Sequence, residues 1–130
     1  MDGRKVRFLR VLALLICLLF PGAAQELNDG YSADELTQLV APVALYPDPL
    51  LATIAAAAAY PDQIVEAHRF LQTGANNWGD QGWDESIVTL CYYPPVVESM
   101  SGDLAWTQAF GWAAANNSDQ LTDAIQDYRR

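Results

Sequence analysis

Leu39-Val40-Ala41-Pro42-Val43-Ala44-Leu45-Tyr46-Pro47-Asp48 leads into an apolar run that closes on Ala55 to Ala59. Tyr60-Pro61-Asp62 follows at once and opens a second amphipathic run ending at Leu71. The Tyr-Pro-Asp triplet thus recurs 14 positions on, and Tyr93-Pro94-Pro95 gives a shortened third copy. Proline suits the first turn of a helix, where its missing N–H has no partner to lose. An aspartate beside it sits favourably at the positive helix end. The residue before proline avoids helical geometry. Each Tyr-Pro therefore reads as the end of one helix and the start of the next. Tyr46, Pro47, Asp48 and Tyr60, Pro61, Asp62 are read as a structural motif, with both tyrosine rings packed between consecutive helices. Truncating such a buried ring costs about 3–5 kcal/mol, so Tyr46→Ala or Tyr60→Ala is expected nearly to unfold the domain.

These residues also carry a resemblance. Leu39 to Ala52, Tyr60 to Ala67 and Arg69-Phe70-Leu71 resemble the bacterial family called domain of unknown function 3300. Trp83-Asp84, Asp103 to Gln108 and Asp123 to Gln126 extend the likeness over about residues 34–129. The resemblance implies an exported, mostly helical bacterial domain and brings no catalytic or ligand residues with it. One departure is the stretch between Leu71 and Trp83, usually longer and more helical in the family and here rich in Gly and Asn.

Outward from the core stretch, helical spacing continues. Ser32 and Glu35 have the spacing of a capping box, with Tyr31 positioned to staple onto Leu36. Leu36, Leu39, Val40 and Val43 form the apolar stripe, and Pro42 should end that helix near Val40 or Ala41. Helix two is expected from Pro47 to Ala59, where five small alanines let another helix approach closely. Helix three, Pro61 to Gln72, presents Ile64, Val65, His68 and Leu71. Asp62, Glu66 and Arg69 share a second face of it with ion-pair spacing. Thr73 to Gly82 is a loop of turn residues. Asp84 caps helix four, with Trp83 placed to staple onto Val88. A short helix follows Pro94, Asp103 caps the next, and Ser118 caps the last. With no alternating strand pattern, the fold class is all-α: a single domain of six or seven short helices joined by Tyr-Pro and Gly/Asn turns.

The N-terminus reads as a signal peptide over residues 1–24. Arg4, Lys5, Arg7 and Arg10 precede the apolar run Val11 to Phe20, and small residues precede a cut after Ala24. The run is shorter than the roughly 20 residues a membrane span takes, so an uncleaved anchor is the less favoured alternative. Leu15 and Ile16 before Cys17 argue against a lipidation site. Residues 25–31 form a flexible leader and 32–130 the helical domain. The expected location is periplasmic or secreted, without stable membrane insertion once the signal is cleaved.

Of seven basic residues only Arg69, Arg129 and Arg130 lie beyond the signal, while all but one of the 16 acidic residues do. That balance argues against nucleic acid and anionic lipid, which require clustered Lys and Arg. It permits a basic partner. Beyond residue 24 the only cysteine is Cys91, in step with Ile87 on an apolar helix face, so it reads as a core residue. His68, the sole histidine, has no second histidine or thiolate cluster with which to hold zinc. No metal set, phosphate loop or nucleophile elbow stands out, and Asn76 to Glu85 lacks the spacing of a calcium loop. No metal and no cofactor are expected.

Two functional readings remain. The favoured one is a non-catalytic envelope module binding protein or polymer, with Trp78 and Trp83 as stacking platforms beside Asp80 and Asp84. The alternative is an acid/base hydrolase of envelope glycans that uses a carboxylate pair such as Asp80 and Asp84.

Overall fold

The computed structural model describes residues 30–130. The expected signal peptide and nearly all of the expected leader lie outside the described residues. The fold is all-α, with seven helices and no strand among the described residues. They are α1 (Ala33–Val40), α2 (Asp48–Ala57), α3 (Pro61–Gln72), α4 (Glu85–Leu90), α5 (Pro94–Gly102), α6 (Leu104–Asn116) and α7 (Ser118–Tyr128). A single 3-10 turn, Trp78–Asp80, interrupts the α3–α4 loop.

Helix boundaries follow the punctuation in the sequence. α1 stops at Val40, two residues before Pro42, because that ring removes a donor and crowds the preceding turn. Tyr60 and Tyr93 flank their helices with nearly the same backbone (φ −124°, ψ 62° and φ −125°, ψ 68°), each followed by proline in the first turn. The first copy differs. There Pro47 itself is the N-cap (φ −58°, ψ 147°) and α2 begins at Asp48. Gly74 ends α3 at φ +80°, the left-handed geometry that favours glycine. Asp84 and Asp103 cap α4 and α6 by accepting from the backbone N–H groups of Ser86 (3.1 Å) and Trp106 (3.0 Å). At α7 the cap position falls to Asn117. Ser118 is already helical and accepts from the Thr122 hydroxyl, so the expected Ser118 cap is displaced by one residue.

α6 is the hub of the packing, touching α1, α2, α3, α5 and α7. Around it α1 lies on α7, α3 on α5, and α2 on α4. Phe110, Thr107 and Ala113 of α6 are buried with Ile54, Ile64, Ile87, Leu90, Val97 and Met100. Thr107 is the buried polar exception, and its hydroxyl is used on the carbonyls of Met100 (2.8 Å) and Asp103 (3.0 Å). The alanine run does receive a neighbour. A Cβ on Gly111 would lie 3.0 Å from the Ala58 Cβ and 3.1 Å from its carbonyl oxygen. Glycine is thus what lets α6 meet the end of α2. Gly111→Val, which puts branched bulk against backbone, should cost about 1–3 kcal/mol in urea unfolding despite valine's better helix propensity. A variant as stable as the parent would mean that this crossing is loose.

The motif tyrosines are less enclosed than expected. Tyr46 and Tyr60 are 36% and 40% exposed, so neither ring is fully packed between helices. Truncating either therefore removes less buried area than the fully buried case, and near-complete unfolding is not the expected result.

Candidate functional site

Two surfaces concentrate the chemistry-bearing residues. The first is the α3–α4 loop. Trp83 is half-buried, its ring edge-to-face with Phe70 at 5.6 Å between centroids, and its indole N–H donates to Glu66 Oε2 at 3.0 Å. These contacts lock the indole beside an open depression lined by Glu66, Arg69, Thr73 and Gln81. Because Glu66 is committed to Trp83, the expected ion pair on this face of α3 does not form. Among the described residues Arg69 has no carboxylate within salt-bridge distance. Trp78 stands apart from this depression, edge-to-face with Tyr92 at 5.4 Å. The loop thus gives its two tryptophans different neighbours.

Asp80 lies exposed in the 3-10 turn. Asp84 is bound on several sides. Its carboxylate accepts from the Ser86 backbone N–H (3.1 Å) and the Ser86 hydroxyl (2.6 Å), and its own N–H donates to Gln63 Oε1 at 2.8 Å. The Ser86 hydroxyl, then the Ser86 N–H, hold the Asp84 carboxyl below its ordinary value of 3.8. A group whose folded pKa is depressed stabilises the fold above its unfolded value, and that contribution is lost as pH falls through the folded value. Asp84→Asn keeps a capping side chain but not the charge. The stability gap between parent and variant should therefore be constant above pH 3.8 and shrink below it. A gap unchanged into strong acid would contradict this assignment. Asp84 shares a second shallow depression with Glu85 and Thr89 on α4 and Thr53 on α2, its neighbouring carboxylate there being the adjacent residue.

The second surface surrounds the turn between α1 and α2, residues 41–47. Here the chain leaves carbonyls without helical partners, and side chains from far along the sequence satisfy them. The Trp106 indole N–H donates to the Leu39 carbonyl at 2.8 Å. Arg129, just past α7, donates from Nε to the Ala44 carbonyl (2.7 Å) and from its two terminal nitrogens to the Tyr46 carbonyl (2.7 Å) and Asp48 Oδ1 (2.8 Å). Asp48 is therefore an ion-pair partner as well as a helix-start residue. Beside this clamp opens a cleft of about 210 Å³. Pro42, Val43 and Tyr46 form one wall, Val96 and Met100 of α5 the floor, and Trp106 the other wall, with Ser99 and Asp103 also lining it. Neither Arg129 nor Trp106 was singled out from the sequence as part of a site. The available signal was an arginine adjoining an apolar helix face in a stretch, residues 25–130, with only three basic residues.

Cys91 is buried at the end of α4, and desolvation pushes its thiol above the ordinary value. Native protein should leave Cys91 unlabelled by thiol reagents at neutral pH and react only once unfolded; fast native labelling would overturn that. Among the described residues no three His, Cys, Asp or Glu side chains converge as a metal site. Nor is any described helix long and apolar enough to cross a membrane.

The sequence profile described as Protein of unknown function (DUF3300) matches residues 32–130. The chain belongs to that family. The match begins at the residue before α1 and runs through the Arg129 clamp, so every element of both surfaces falls within it. A curated relative, "Uncharacterized protein YacH" of Escherichia coli (strain K12), is 30% identical over an alignment 118 residues long that covers 85% of this chain. That stretch is 19% of the relative's length, so this chain spans about a fifth of it. No solved structure matches.

Proposed function

We propose that this family member is an exported, non-catalytic module of the bacterial envelope that binds a partner protein or polymer through the Trp83 depression. The observation that carries this reading is an indole held rigid at an open surface beside an arginine that has no carboxylate partner among the described residues. Trp83 is fixed by Glu66 and Phe70, while Arg69, Thr73 and Gln81 leave hydrogen-bonding groups around it. A pre-organised aromatic ring ringed by polar donors suits recognition, since little ordering is left to do on binding. Export rests on the basic head, apolar run and small-residue cut site of residues 1–24.

The hydrolase alternative has less support. A general acid needs a carboxyl whose pKa is raised, whereas Asp84 is held in the opposite direction by its capping bonds.

The test is site-specific photo-cross-linking in the host, with the photoreactive residue at Gln81. A discrete adduct in the envelope fraction, lost in an Arg69→Ala background, is the expected result. The recovered protein should begin near Gln25. Free protein alone at position 81, or adducts indifferent to Arg69, would refute the binding surface. Full-length material retained in the inner membrane would refute export by cleavage.

A further inference from the structure

We propose that the cleft between Tyr46 and Trp106 is a docking site for a partner protein segment that presents one large apolar side chain next to lysine or arginine. This goes beyond the Trp83 depression and rests on different residues.

The cleft is built before any partner arrives. Trp106 is anchored by its N–H on the Leu39 carbonyl and stacked on Phe110, with centroids 5.0 Å apart and planes 19° apart. The opposite wall is pinned from behind by Arg129, which holds the Ala44 and Tyr46 carbonyls. The floor, Val96 and Met100, is buried core. A volume of about 210 Å³ is the size of a single large side chain, well below the roughly 300–1,000 Å³ of sites that enclose a whole drug-sized ligand. Tyr46 remains 36% exposed, and its hydroxyl has no partner among the described residues. It thus joins an apolar wall to a free polar tip, the pairing that enriches tyrosine at interfaces.

Charge selects the kind of segment. Asp103 lines the cleft with one carboxylate oxygen accepting from the Trp106 backbone N–H, and its other oxygen has no hydrogen-bond partner among the described residues. Glu98 lies exposed on α5, the helix that supplies the floor. The cation behind the turn, Arg129, does not line the cleft and is taken up by two carbonyls and Asp48. With three basic residues beyond residue 24 against 15 acidic ones, an acidic segment or an anionic lipid surface would be repelled. A basic flank meets an unopposed carboxylate.

The probes are two blocked pentapeptides with central phenylalanine, one flanked by lysines and one by glutamates, titrated into residues 25–130. The readout is the NMR shift of the Val43 and Val96 methyl groups. The lysine peptide should perturb both saturably and bind at least about tenfold more tightly than the glutamate peptide. Asp103→Asn, which keeps a capping side chain, should remove most of that preference. Ser99→Arg, at an exposed position lining the cleft, should abolish the shifts without altering the helical circular dichroism. No shift with either peptide, equal binding of the two, or binding of free apolar amino acid as tight as that of the lysine peptide would each overturn the proposal.

Discussion

Replacing Trp106 with alanine is expected to cost about 3–4 kcal/mol, a large share of the roughly 5–15 kcal/mol available to a small domain. Three losses coincide. The ring leaves its stack on Phe110 at the hub of the packing. The apolar wall against Val43 collapses or fills with water. The Leu39 carbonyl at the end of α1 loses the indole N–H that satisfies it. Trp106→Phe goes part of the way to separating these terms, because it keeps an aromatic ring on Phe110 while removing the donor and the five-membered ring that carries it. It should cost about 1–2 kcal/mol, the scale of one unmade hydrogen bond to a part-buried carbonyl. Urea midpoints for the two variants at constant denaturant slope give both numbers. Equal losses would mean that the hydrogen bond, and not packing, dominates at this position.

Arg129→Ala comes next, at about 2–3 kcal/mol, since a bond from a charged donor is worth roughly 1.5–3 kcal/mol and two carbonyls lose theirs together. The ion pair contributes little of this. Asp48 is 75% exposed in the pair, and such exposed pairs are typically worth under about 1 kcal/mol. Asp48→Asn should therefore cost well under half of what Arg129→Ala does. Arg129→Lys should rescue only a minor part, because a single ammonium cannot span three acceptors held by a planar fork. If Asp48→Asn and Arg129→Ala were equally costly, the clamp would be an ion pair and not a backbone cap.

The helices were legible because their signals are local. Tyr-Pro junctions, Asp84 and Asp103 caps and the Gly74 turn each act within a few residues, and the structure has them at or within a residue or two of those marks. Cys91 was legible as core for the same reason, being in step with Ile87 on one face. The alanine run announced a close approach, although nothing in it identified Gly111 as the partner. What escaped were pairings across long separations. Arg129 reaches Ala44 over 85 positions and Trp106 reaches Leu39 over 67, and no periodicity links such residues. Glu66 was assigned to Arg69 by helical spacing, but its use by Trp83, 17 positions on, prevailed. A fixed indole N–H close to the helix gives a charge-assisted bond at less conformational cost than a solvated arginine chain. The tyrosines illustrate the same limit. Their place at helix junctions followed from proline chemistry, while their exposure depends on tertiary packing that no local signal encodes.

The first Tyr-Pro-Asp turn is, on this account, shaped by the C-terminal part of the chain and not by its own sequence alone. Native-state hydrogen exchange of Arg129→Ala tests that most directly. The amides of Val43, Ala44 and Tyr46, which bond within the turn, should exchange on the order of tenfold or more faster than in the parent once global stability is matched. Amides of α3 and α5 should be unchanged. Uniform acceleration across all helices, or unchanged exchange at the turn, would contradict the account.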